Sequence, residues 1–82
     1  MTVVDARGLR CPAPVLRLAR AAREAAAGTV LELWATDPAA EPDVRAWARM
    51  RGHEVLEVSR RDDDGGPRAA VVVVKVRLDG LS

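Results

Sequence analysis

The sequence predicts an α/β (α+β) two-layer sandwich: a four-stranded mixed sheet with two helices on one face, in the order β-α-β-α-β-β. Three observations carry this. Two stretches with apolar residues at helical spacing, one opening at Pro12 and one at Pro42, each lie between β-prone runs. The two β-α-β crossovers are right-handed by rule, which puts both helices on the same side of the sheet. The last two β-prone runs are separated only by the turn-forming segment Asp62 to Pro67, so they pair as an antiparallel hairpin.

Each element has its own justification. Thr2 to Asp5 is a short β-prone run, and Ala6 to Arg10 reads as a turn in which Gly8 is free to take positive φ. From Pro12 to Ala27, Val15, Leu18, Ala19, Ala22 and Ala26 recur at helical spacing, and Gly28 supplies the stop. Thr29 to Ala35 alternates, with Leu31 and Leu33 on one face and Val30, Glu32 and Trp34 on the other. Asp37-Pro38 marks a turn or helix entry, with Asp37 a cap. The second helix is expected from Pro42 to Arg51 after a looser turn, burying Val44, Trp47 and Ala48 and ending at Gly52. Glu54 to Arg61 is a strand anchored by Leu56 and Val58. Arg68 to Leu78 contains four consecutive valines, apolar on both faces as an interior strand should be. Asp79 to Ser82 is a tail.

Size and composition narrow the function. With 82 residues the chain is read as one domain, 1–82, too small to wall a deep cavity, so chemistry is expected at an exposed point. Hydrophobic residues make up 49% and charged residues 30%, ordinary for a soluble folded chain. No apolar run spans a membrane and no signal peptide opens the chain, which points to a cytoplasmic protein without membrane contact. One cysteine excludes an internal disulfide, and one cysteine with one distant histidine gives no metal site. Arg7, Arg10, Arg17, Arg20 and Arg23 crowd the cysteine and the following helix, opposed only by Asp5 and Glu24. That surface is either a solvated helix face or one that steers an acidic partner.

The cysteine is Cys11, in Arg10-Cys11-Pro12-Ala13-Pro14. A thiol at a helix N-terminus meets unpaired N–H groups and the positive end of the helix dipole, which favours thiolate. Pro12 suits the first helical position, where its missing N–H costs nothing, and Pro14 removes another donor. The Ala13 amide is left to reach back to the sulfur, with Cys11 as a non-helical cap. Among the neighbours, Gly8 reads as a turn glycine, Asp5 as a strand-end or turn cap, and Arg10 as a possible support for the thiolate or a partner contact. His53 is expected exposed and without a catalytic role, Trp47 in the core, and Trp34 partly exposed on a partner surface.

Asp5-x-x-Gly8-Leu9-x-Cys11-Pro12-x-Pro14 resembles the signature of the TusA/SirA-like sulfur-carrier family. Gly28, Asp37-Pro38, Asp43-Val44, Trp47 and Gly52-His53-Glu54 fall where that family has equivalents, so the resemblance spans nearly the whole chain. It implies a fold similar to the C-terminal domain of translation initiation factor three and a sulfane sulfur carried as a persulfide on Cys11. It also implies loading by a cysteine desulfurase or rhodanese-like donor and delivery to a downstream sulfurtransferase. The destination in such proteins is tRNA thiouridine, molybdenum-cofactor metabolism or sulfur oxidation; no cofactor is expected. The rival readings are an RNA-binding module, a thiol redox sensor, and a regulatory or scaffolding domain. Two tryptophans, no other aromatic residue and a net charge of +1 argue against direct nucleic-acid binding.

Overall fold

The structure of the protein, a computed structural model, describes the backbone of residues 2–63 and 66–79 and the side chains of 2–61 and 70–79. Its elements are β1 (Thr2–Ala6), α1 (Ala13–Arg23), β2 (Val30–Ala35), α2 (Ala40–Arg51), β3 (Glu54–Asp63) and β4 (Gly66–Arg77). They build the expected α+β architecture: a four-stranded mixed sheet in the order β1-β2-β4-β3 and two helices. β1 runs parallel to β2, while β4 is antiparallel to both β2 and β3. β4 therefore lies inside the sheet, and Val71, Val72, Val73 and Val74 are all buried there.

The core lies between the sheet and the helices. Leu31 and Leu33 of β2, Val4 and Ala6 of β1 and Val72, Val74 and Val76 of β4 meet Leu18 and Ala22 of α1 and Val44 of α2. Full burial of a leucine or valine side chain contributes about 1.5–3 kcal/mol, so this cluster is what holds the helices on the sheet. Trp47 packs against it half-buried rather than fully enclosed.

Several boundaries differ from the expectations, each for a physical reason. α1 begins at Ala13, not Pro12, and ends at Arg23, four residues before Ala27. Alanine favours helix, but the Gly28 amide bonds the Leu78 carbonyl and Leu78 bonds back to Thr29, so tertiary pairing turns the chain out early. α2 begins at Ala40 and includes Pro42, which sits in the first turn where its missing N–H has no partner to lose. Gly52 ends α2 in the left-handed conformation at φ 76°. In β3 the pairing slips between Val55 and Glu57. The bulge breaks the two-residue alternation, so Val55 and Val58 pack on the core while Leu56, expected as an anchor, is exposed. The expected loop from Asp62 to Pro67 is narrower, since Asp63 pairs with Gly66; Asp64 and Gly65 lie outside the described residues. Of the expected tail, Gly80, Leu81 and Ser82 also lie outside them, whereas Asp79 accepts from Arg77 Nε at 3.1 Å. Among the described residues no helix is long and apolar enough to cross a membrane.

Candidate functional site

The parallel pairing of β1 with β2 decides what surrounds Cys11. Ala6 and Ala35 are register partners at the carboxyl ends of the two strands, so the segments that follow leave the sheet side by side. In open sheets with such crossovers, the space beyond the carboxyl ends of parallel strands is where chemistry is usually placed. Here it brings residues 8–11 against residues 36–43. Gly8, at φ 79°, donates its amide to Thr36 Oγ1 at 2.9 Å. The Cys11 amide donates to Asp37 Oδ2 at 2.7 Å, and the other oxygen of Asp37 accepts from the Ala39 amide at 2.9 Å. One carboxylate thus ties the Cys11 backbone to the entry of α2. Those two amides, the Ala39 bond first, hold the Asp37 carboxyl below its usual range, with Arg10 adding its charge.

Cys11 is exposed. Its Sγ donates to Asp43 Oδ2 at 2.6 Å, across from the second helix. The expected thiolate is reversed by this neighbour. The hydrogen bond to Asp43 first, then desolvation, then the negative charges of Asp43 and Asp37 raise the thiol pKa, so the resting group is S–H. The dipole of α1 acts as about half a charge and fades within one turn, whereas two full carboxylate charges face the sulfur. The carboxylates win.

The neighbouring residues fall into place differently from the sequence expectation. Pro12 is the N-cap, at φ −96° and ψ 13°, and Cys11 precedes it. The Cys11–Pro12 peptide bond is cis. The Ala13 amide donates to the Arg10 carbonyl at 2.8 Å and so is not the donor to sulfur. Pro14, in the first turn of α1, is buried, a packing residue as well as a helix starter. Arg10 is exposed and acts on Asp37 through its charge. Asp5 is a turn cap: it accepts from the Arg7 amide at 3.1 Å and from Arg7 Nε and Nη2 at 2.9 Å each. The Arg7 side-chain bonds lead in lowering its carboxyl to about 2. His53 is buried rather than exposed, with its ring 4.9 Å from that of Trp47, and burial lowers its pKa.

Trp34 is half-buried, gives its indole N–H to Glu32 at 2.6 Å, and lies beneath the guanidinium groups of Arg7 and Arg61 at 5.2 and 4.5 Å. Beside the Cys11 corner, an open groove between the helices is lined by Leu9, Leu16 and Trp47 and by Arg17, Arg20 and Arg51. Among the described residues no cluster of His, Cys, Asp or Glu is placed to hold a metal.

Asp43 is the residue that reasoning from sequence missed as part of the site. The available signal was the parallel β-α-β crossover, which sets the segments after both strands side by side and makes acids after the second strand neighbours of Cys11.

The comparisons with known proteins agree on a family. The model of sulfurtransferase TusA matches residues 2–75. The sulfur carrier protein TusA of Pseudomonas putida is 41% identical over 64 residues, 78% of this chain and 76% of its own length. YrkI of Bacillus subtilis is 43% identical over 61 residues, 74% of this chain and 81% of its own length. The crystal structure of a SirA-like protein from Desulfitobacterium hafniense superposes with a TM-score of 0.68, covering 96% of this chain and all of that one. At 24% identity that likeness speaks to fold.

Proposed function

The chain belongs to the TusA sulfurtransferase family, and on that premise we propose that it is a sulfur carrier whose working atom is the Cys11 sulfur. The observation that carries this is the placement of the only cysteine in the chain: exposed, at a corner, with its own amide clamped to Asp37. A carrier must offer its sulfur to two successive partners, which exposure allows. It must also keep the cargo between them, and a chain with no second thiol cannot discharge a persulfide internally. Pro12, Ala13 and Pro14 support the corner as cap, first helical residue and packing residue. Gly8 and Asp5 shape the turn that leads to it.

The donor is a cysteine desulfurase or a rhodanese-like protein and the acceptor a downstream sulfurtransferase, each supplying its own thiol. The basic, partly apolar groove next to Cys11 suits an acidic partner face. A thiol held protonated by carboxylates argues against a peroxide sensor, whose reactivity depends on thiolate.

Intact-mass measurement after incubation with a cysteine desulfurase and cysteine tests the proposal. The protein gains the mass of one sulfur atom, dithiothreitol removes it, and Cys11→Ala, which changes an exposed side chain, stays folded and gains nothing. A wild type that remains unmodified, or a Cys11→Ala protein that is still loaded, overturns it.

A further inference from the structure

A nucleophilic thiol that rests as S–H needs somewhere to send its proton. Two carboxylates bear on Cys11, Asp37 from the turn before α2 and Asp43 from α2 itself, and Arg10 from the turn before α1 acts on Asp37 through its charge. Arg10 cannot accept a proton. Both oxygens of Asp37 are engaged by backbone amides, which keeps it ionised and poorly basic. Asp43 differs from both, because Oδ2 is already the acceptor of the thiol hydrogen. An acid in the first turn of a helix is ordinarily explained by the helix dipole, and Glu41 in the same turn fits that account, with its carboxylate bonded to Arg45 and Arg60. Asp43 is turned to the sulfur instead.

We propose that Asp43 is a catalytic residue of sulfur loading: it takes the Cys11 proton as the sulfur attacks and then hands it to the departing thiolate. This rests on the carrier reading above. In the step, Cys11 Sγ forms a bond to the outer sulfur of a donor persulfide R–S–SH. The donor S–S bond breaks and its electron pair leaves on R–S⁻. The Cys11 proton moves to Asp43 Oδ2, leaving Cys11–S–SH and a protonated Asp43, which then protonates R–S⁻. Sulfane sulfur changes owner with no net oxidation or reduction. Between cycles the same contact keeps an exposed cysteine in its less reactive form.

Asp43→Asn separates this role from a structural one because two rates move in opposite directions. Alkylation by iodoacetamide at neutral pH, which needs only thiolate, becomes severalfold faster, since each pKa unit downward gives about tenfold more thiolate. Sulfur uptake from glutathione persulfide becomes about tenfold slower or more, because positioned general bases contribute about 10²–10⁴-fold. Asp43→Glu, which keeps a carboxylate, recovers much of the uptake. The infrared S–H stretch of the single cysteine reports the contact in the wild type without any variant: it lies at the position of a hydrogen-bonded thiol and moves toward that of a free one in Asp43→Asn.

Unchanged or faster uptake in Asp43→Asn overturns the proposal, as does unchanged alkylation or a free-thiol stretch in the wild type. A wild type that loads beside an equally competent Asp43→Asn protein removes the role of Asp43 alone. A wild type that takes sulfur from no donor removes the carrier reading and this role with it.

Discussion

The two helices begin in opposite ways, and their beginnings meet at Cys11. Neither helix has a side-chain N-cap bond, but α1 opens on Pro12 with no acid in its first turn, although it closes on Arg20 and Arg23. α2 opens with Glu41 and Asp43 in its first turn and with Asp37 just before it, bonded to the Ala39 amide. The thiol belongs to the first helix by sequence and to the second by electrostatics. A helix dipole is a diffuse partial charge, whereas a carboxylate in hydrogen-bond contact is a full one, and such charge-assisted bonds are about twice as strong as neutral ones. The protonation of a site residue is therefore set by what the fold brings to it and less by the element it starts.

If α1 has no acid at its start to complement its dipole, burial must hold it in place. Leu18 is fully buried among core residues, so Leu18→Ala should lower unfolding free energy by about 2–5 kcal/mol in urea titration. This is the largest effect expected. A loss below about 1 kcal/mol would mean that the clamp at Cys11, not packing, positions α1, and the contrast between the helices would fail.

Asp37→Ala probes the other side. It leaves the Cys11 and Ala39 amides to water and removes the more weakly acting of the two negative charges at the sulfur. Iodoacetamide alkylation should rise by no more than about threefold, as for a charge acting through water without a direct bond, and by less than in Asp43→Asn. An equal or larger rise would make Asp37 the dominant carboxylate and reverse the assignment between the two acids.

Much of this was readable from residues alone, and the reason is local. Leu31 and Leu33 alternate with Glu32 and Trp34, and the buried strand face follows; four valines in a row place β4 inside the sheet; Gly52 stops α2. Cys11 stands out because nothing in packing explains a cysteine between Arg10 and Pro12. Most of what was not readable depends on contacts distant in sequence. Asp43 lies 32 residues from Cys11, and the arginines near the thiol in sequence suggested the opposite charge environment. His53, placed beside a glycine turn, looked exposed until Trp47 covered it. Leu56 looked inward until a bulge in β3 shifted the alternation. The misses at Asp43 and Leu56 come from long-range pairings overriding a sound local rule, and that at His53 from the packing of Trp47, a near neighbour in sequence.

The acid in the strand that leads to α1 is Asp5, whose carboxylate is paired with Arg7, while the carboxylates acting on the thiol are Asp43 and Asp37. Its carboxyl falls from 3.8 to about 2, led by the side-chain hydrogen bond from Arg7. A carboxyl with a depressed folded pKa stabilises the fold above its unfolded pKa, and that contribution is lost as pH falls through the folded value. The loss should therefore run from 3.8 down toward about 2, joined by Asp37, whose carboxyl is shifted in the same direction. Asp5→Asn should melt slightly earlier than the wild type at neutral pH and show a shallower fall through the acid window, the two curves converging at its lower end. Because half of the Asp5 side chain and two-fifths of that of Arg7 are exposed, the difference should be the smallest of the set and shrink further in about 1 M salt. Thiol alkylation should not change at all. A faster alkylation in Asp5→Asn would place this carboxylate within reach of the sulfur and end the division of labour between the two helix entrances.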